Sequence, residues 1–160
     1  MIVIKVLLGL SLLIITIQDF KTRQIWWFLP FLVGLLGGAL YFETTLIELY
    51  FLNVSVNVLI IVSVLLIIYL YNRVKLKMNF LKQVIGLGDI FFMLCFALLF
   101  PILSFLNFFS FAILFSLVFY VLLKNTFSKS NIPLAGCMSI FLLIVYICHW
   151  TGLYTKIYVL

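Results

Sequence analysis

The stretch from Ile90 to Leu123 runs for 34 residues without a charge. As one helix it would be about 50 Å long, against a hydrocarbon layer of about 30 Å. It is therefore too long for one crossing. Pro101, followed by Ser104 and Asn107, offers a break, because proline lacks the amide that a helix interior needs. The run is read as two membrane helices joined there. Its continuity also argues against a closed β-barrel, whose strands alternate apolar and polar residues. In hydrocarbon a chain must satisfy its own backbone groups, which leaves helices. The fold class expected is all-α, a polytopic bundle of about six transmembrane helices forming one membrane-embedded domain over residues 1–160.

Composition agrees. Hydrophobic residues make up 68% of the chain and charged residues 9%, with a mean hydropathy of +1.41. Soluble domains average about 25% charged residues. Polar breaks place span one at about 2–17, span two at 25–42 and span three from about 51 to 71, with apolar character from Leu46. The 34-residue run holds spans four and five, and span six covers 133–150. Trp26 and Trp27 open span two as interfacial anchors. Gly34, Gly37 and Gly38 give it small faces for close helix packing. "MIVIKVLLGLSLLIITIQDF" has no small-x-small cleavage site before Asp19, so it is read as a retained span rather than a signal peptide.

The formal charge of +6 points to cytoplasmic loops, not to nucleic acid. Lys21 and Arg23 lie between spans one and two. Arg73, Lys75, Lys77 and Lys82 lie between three and four, and Lys124 and Lys129 between five and six. Only Lys5 and Lys156 fall on the other side, which shares Glu43 and Glu48. The positive-inside rule then puts both termini outside and the three basic loops in the cytoplasm. The segment 73–82 is read first as a topology determinant, with anionic headgroup binding as the alternative. Cys95, Cys137 and Cys148 lie in apolar runs without CxxC spacing and read as small buried hydrophobes. His149, beside Trp150 at the outer end of span six, reads as an interfacial residue.

Two of the four acidic residues, Asp19 and Asp89, sit at span ends on the same side. An aspartate within the bilayer costs on the order of 3 kcal/mol, which makes it a functional candidate. Two carboxylates that meet repel, so one keeps a proton while the other is ionised. Such a pair can take a proton from water and give one to a carbonyl oxygen or a leaving amine, the chemistry of aspartic peptide hydrolysis. Each residue alone has a plainer reading. Asp19, within "QDFKTR", would be a juxtamembrane charge neutralised by Lys21 or Arg23. Asp89 would be an N-cap. Gly86 and Gly88 would allow a tight turn into the helix or a close backbone approach.

Three segments in order resemble one family. "GLGD" at Gly86–Asp89 opens a membrane helix after a basic loop and resembles the GxGD motif of membrane aspartyl proteases. "QDFKTRQI" at Gln18–Ile25 resembles the first aspartate motif of the bacterial type IV prepilin peptidases. "NIPLAGCMSI" at Asn131–Ile140 resembles the proline segment that opens their last span. The resemblance covers essentially the whole chain. It implies that Asp19 and Asp89 are the catalytic pair, and that Gly86 and Gly88 shape the turn presenting Asp89. Lys21, Arg23 and Pro133 would line or shape the site. The implied reaction removes the basic leader of a type IV prepilin or pseudopilin at the cytoplasmic face of the bacterial inner membrane. The implied partners are that substrate and the lipid bilayer, and a homo-oligomer is compatible. No cofactor is expected.

The chain departs from the family pattern at several points. The CxxC-bearing, methyltransferase-linked N-terminal segment of larger members has no counterpart, so peptidase activity alone and no zinc are expected. Phe91 stands where a lysine often follows the motif, leaving Lys21, Arg23 or Lys82 to tune the aspartates. Trp26 stands where a proline follows the isoleucine, and "PLAG" lacks a common second proline. Two alternatives stay open: a non-catalytic assembly factor derived from the family, and a small proton-coupled carrier subunit with the aspartates as a relay.

Overall fold

The computed structural model describes residues 1–22, 24–76, 86–123, 133–155 and 157–158. Arg23, Lys77, Lys82, Lys124, Lys129 and Lys156, named above for topology or tuning, lie outside these, as do Asn131 and Ile132. The described chain is helical: α1 (Ile2–Thr22), α2 (Phe28–Phe42), α3 (Ile47–Tyr71), α4 (Leu87–Phe96), α5 (Ile102–Leu123) and α6 (Leu134–Trp150). A π-helical turn, Asn72–Leu76, continues α3. Three helical stretches, Ile2–Thr22, Ile47–Val74 and Ile102–Leu122, are long and apolar enough to cross a membrane. The other three are shorter. α4, with ten residues, is about 15 Å long, half the hydrocarbon layer.

The outward faces of the long helices carry large apolar side chains. Leu59, Val62, Leu66 and Ile67 on α3 and Leu114, Leu117, Val118 and Val121 on α5 are all exposed. Continuous apolar surface of this kind suits lipid, not water. The chain is therefore a helical membrane protein. Its interior lies around α1, α2, α4 and α6, where Leu8, Leu12, Ile15, Val33, Phe92, Phe96, Met138 and Leu142 are buried. α1 packs mainly on α6 and α2, α2 on α4, and α5 on α6.

Packing between α2 and α4 depends on glycine. A Cβ at Gly34 would lie 3.0 Å from both Cys95 Cβ and Leu98 Cδ1, and one at Gly37 would collide with Leu99. One at Gly38 would lie 2.9 Å from the Tyr50 hydroxyl. In lipid, where apolar burial does not drive helices together, such close backbone approach supplies the dispersion contact.

The long uncharged run breaks as expected at Pro101, while Ser104 and Asn107 fall inside α5. The break needs donors, because free carbonyls inside a membrane protein are costly. Asn57 on α3 supplies them. Its buried Nδ2 donates to Ala97 O at 3.1 Å and to Phe100 O at 2.8 Å. Asn53, one turn earlier, donates to the Tyr41 hydroxyl at 2.6 Å. With Ile61 these form the buried stripe of α3. Asn57→Ala is expected to lower stability by about 1–2 kcal/mol, read as the free energy of reversible unfolding in mixed micelles. An unchanged value would mean that the two carbonyls find other donors.

Candidate functional site

The ends of four elements meet at one place. α1 finishes there, and the α1–α2 loop, α4 and α6 begin there. Pro133 precedes α6 and provides no side-chain cap. The first amides of a helix have no partner within it, so those of Ala135 and Gly136 need acceptors from elsewhere. Both acceptors are aspartates. The Ala135 amide donates to Asp89 Oδ1 at 2.9 Å, and the Gly136 amide donates to Asp19 Oδ2 at 2.6 Å. Two carboxylates from different helices thus cap successive amides of a third. The amide nitrogens are three covalent bonds apart, so the accepting oxygens lie within about 10 Å of each other. Charge-assisted bonds at a helix N-terminus, with its partial positive charge, favour anionic ligands.

Each aspartate is held from its own side as well. Asp19 is the last member of a buried stripe on α1 made by Leu8, Ser11, Leu12, Ile15 and Asp19. It lies inside the helix, which runs to Thr22, and is only 4% exposed. Asp89 is in the first turn of α4 and half-buried. Its amide donates to Gly86 O at 3.1 Å, and the Gly86 amide in turn donates to the Asp89 carboxylate. The bond from the Gly86 amide to the carboxylate is the acidic half of a capping box; glycine at the N-cap offers no side chain for the other half.

The two motif glycines act through their missing side chains. Gly86 has φ −68° and ψ 146°, a conformation open to most residues, so no special turn is required. A Cβ on Gly86 would lie 3.2 Å from Asp89 Oδ2. One on Gly88 would lie 3.2 Å from Ile25 Cβ, so Gly88 lets the α1–α2 loop close onto α4. That loop is tied down by Gln18, whose Oε1 accepts from the Trp26 amide, and by Thr22, whose hydroxyl donates to Gln24 O.

A cavity of about 320 Å³ opens beside the pair, walled by Asp19, Gln24, Ile25, Gly86, Leu87, Gly88 and Asp89. Its size falls at the small end of ligand pockets, about 300–1,000 Å³. Pro133 stands at the head of α6, next to the amides that hold the aspartates. Lys21 is exposed on the last turn of α1 and is not part of the cavity wall. Phe91 is also exposed. His149 bonds through Nδ1 with Tyr154 O at 3.0 Å at the far end of α6. Cys95 and Cys137 are buried, while Cys148 is half-buried.

Residue-by-residue reading of the sequence missed the amides of Ala135 and Gly136. Their signal was present: a proline that brings no capping group, followed by a glycine in the first turn. Gly136 is needed there, because a Cβ would meet Asp19 Oδ2 at 2.9 Å and Asp19 Cβ at 3.0 Å.

The fold and site thus define a helical membrane protein with two carboxylates gathered on one helix N-terminus beside a cavity. No family model matches the chain, and neither the curated proteins nor the solved structures give a match.

Proposed function

We propose that the chain is a membrane aspartic endopeptidase that removes the basic leader of a prepilin- or pseudopilin-like protein. The observation that carries the proposal is the capping of successive α6 amides by Asp19 and Asp89 at the wall of one cavity. The aspartates come from segments 70 residues apart in sequence, and chain connectivity alone gives them no reason to converge.

In the proposed reaction the pair shares one proton. The ionised carboxylate takes a proton from water as the water oxygen bonds to the scissile carbonyl carbon. The protonated carboxyl gives its proton to the carbonyl oxygen. As the diol collapses and the C–N bond breaks, one diol hydroxyl returns its proton to the ionised carboxylate and the leaving nitrogen takes the proton held by the other, which restores the singly protonated pair. Gly86 and Gly88 line the cavity beside the carboxylates, where an extended substrate backbone would lie. Gln24 and Ile25 of the α1–α2 loop line the same cavity.

The proposed setting is the bacterial inner membrane, with six crossings, both termini outside and the site at the cytoplasmic face. In the sequence, eight of the ten basic residues fall between spans one and two, three and four, and five and six, which supports that orientation.

The test uses a co-expressed probe, a prepilin-like protein with a basic leader, a glycine and an apolar helix. Membranes holding the chain convert it to a product cut once, just before the apolar helix, as read by mass spectrometry. Membranes holding the double variant Asp19→Asn/Asp89→Asn leave it whole. A probe left intact by the wild-type chain, or cut equally by the double variant, overturns the proposal.

A further inference from the structure

One turn deeper in the bundle than the aspartate pair, α1 and α6 are joined a second time. The Thr16 and Ser139 hydroxyls lie 2.7 Å apart. Thr16 precedes Asp19 by three residues, and Ser139 follows Gly136 by three. α1 runs toward the site and α6 away from it, so the Asp19–Gly136 and Thr16–Ser139 contacts share one antiparallel register. Each hydroxyl also has a carbonyl of its own helix within reach, and with one proton apiece the clasp has Thr16 donating to Ser139 while Ser139 donates to Gly136 O, Leu12 O being the other acceptor open to Thr16. Thr16 Oγ1 is 2.9 Å from Leu12 O, and Ser139 Oγ is 2.8 Å from Gly136 O. The Gly136 residue is thereby held on both sides, its amide by Asp19 and its carbonyl by Ser139.

We infer that Thr16 and Ser139 are positioning residues, a hydroxyl clasp that sets the depth and rotation of α1 on α6 and so holds the Asp19 carboxylate on the Gly136 amide. Apolar helix faces in lipid slide past one another at little cost, and polar pairs or small-residue contacts fix their register. A single contact between two helices leaves rotation about that contact free. Two contacts one turn apart remove it. Ser139 is fully buried, so water does not compete for the clasp. The inference rests on the peptidase reading for its catalytic consequence, but its structural half stands apart.

The clasp can be opened without leaving an orphaned polar group. In Thr16→Val the Ser139 hydroxyl keeps Gly136 O, and in Ser139→Ala the Thr16 hydroxyl keeps Leu12 O. Both variants are therefore expected to insert and fold. Kinetics with the prepilin-like probe should show kcat lower by about tenfold in each, with KM within about twofold. Thr16→Ser keeps the hydroxyl and should restore the wild-type rate. A second readout does not depend on cleavage. Ala135–Gly136 is the one Ala–Gly step in the sequence, so labelling with carbonyl-13C alanine and 15N glycine isolates the Gly136 amide by NMR in micelles. That signal should move upfield and exchange with solvent faster in Thr16→Val and Ser139→Ala, and return in Thr16→Ser.

An unchanged Gly136 signal in both variants overturns the inference. So does a moved signal with unchanged kcat, or a Thr16→Ser protein as impaired as Thr16→Val. If the wild-type chain leaves the probe intact, the peptidase reading falls, and the Gly136 signal alone decides whether the clasp places Asp19.

Discussion

Asp19→Asn and Asp89→Asn are each expected to reduce cleavage of the prepilin-like probe by about 10³-fold while the protein stays folded in the membrane. The magnitude follows from removing one partner of an acid–base pair, which costs about 10²–10⁴-fold. The asparagine substitution separates two roles that coincide in this structure. Each carboxylate caps an amide of α6, Asp89 that of Ala135 and Asp19 that of Gly136. Asparagine caps as well as aspartate does, and its side-chain oxygen can accept the same bond. If the aspartates serve only as caps, both variants keep wild-type stability, and any activity the chain has survives. If they share a proton over a water molecule, stability is kept and cleavage is lost. The double variant should be no worse than the worse single one, because two groups acting as a unit are not additive. The measurement is the first-order rate of product formation at matched protein levels, beside the unfolding midpoint of each variant in detergent. A single variant that cleaves within tenfold of wild type would end the paired mechanism.

Much of this architecture is legible in the sequence. The 34-residue uncharged run demanded a break, and Pro101 marked it, because a missing amide and a length limit are local properties of the chain. The helical class followed from composition in the same way. What the sequence did not disclose was non-local. Asn57 looks like any polar residue in an apolar run, yet it satisfies the carbonyls that the break frees between α4 and α5, 40 and 43 residues away. Ser104 and Asn107 looked like part of the break and instead lie in α5, because one proline and the Asn57 donors suffice. Both aspartates were singled out by their cost in lipid, but the group they converge on was not. Backbone amides have no letter in the sequence, and the signs of a proline followed by a first-turn glycine become readable only when a carboxylate is seen facing them. For the motif glycines the sequence leaves a tight turn and a close approach equally open, and the geometry favours close approach. Gly86 adopts ordinary dihedral angles and makes room for Asp89, and Gly88 makes room for Ile25. Thr16 and Ser139 carry no signal in single-sequence periodicity, since small polar residues are common in membrane helices.

Gly136→Ala is expected to disable the site at least 100-fold, a larger loss than the same change at either motif glycine. Alanine favours a helix over glycine by about 1 kcal/mol, so propensity alone predicts a gain in stability. Sterics decide the sign. The new Cβ would lie 2.9 Å from Asp19 Oδ2, 3.0 Å from Asp19 Cβ and 3.1 Å from Phe20 Cε2. A carboxylate oxygen can swing away, but Asp19 Cβ is fixed to the α1 backbone, so α1 itself must move off α6. That movement breaks the 2.6 Å bond from the Gly136 amide, and displacements near 1 Å at a reacting group cost about 10²-fold. Overpacking at such a contact costs about 1–3 kcal/mol, enough to reverse the propensity gain. Gly86→Ala meets only the movable end of Asp89 at 3.2 Å, and Gly88→Ala meets Ile25 in a loop, so both should be milder. Gly9→Ala is the control within α1. Its Cβ would sit 3.9 Å from Trp150, an ordinary contact, and the change should be neutral or stabilising by up to about 1 kcal/mol. Probe cleavage and detergent unfolding, measured on the four variants together, rank them. A Gly136→Ala protein as active as Gly9→Ala would show that the contact of α1 with the head of α6 is not what holds Asp19 in its working position.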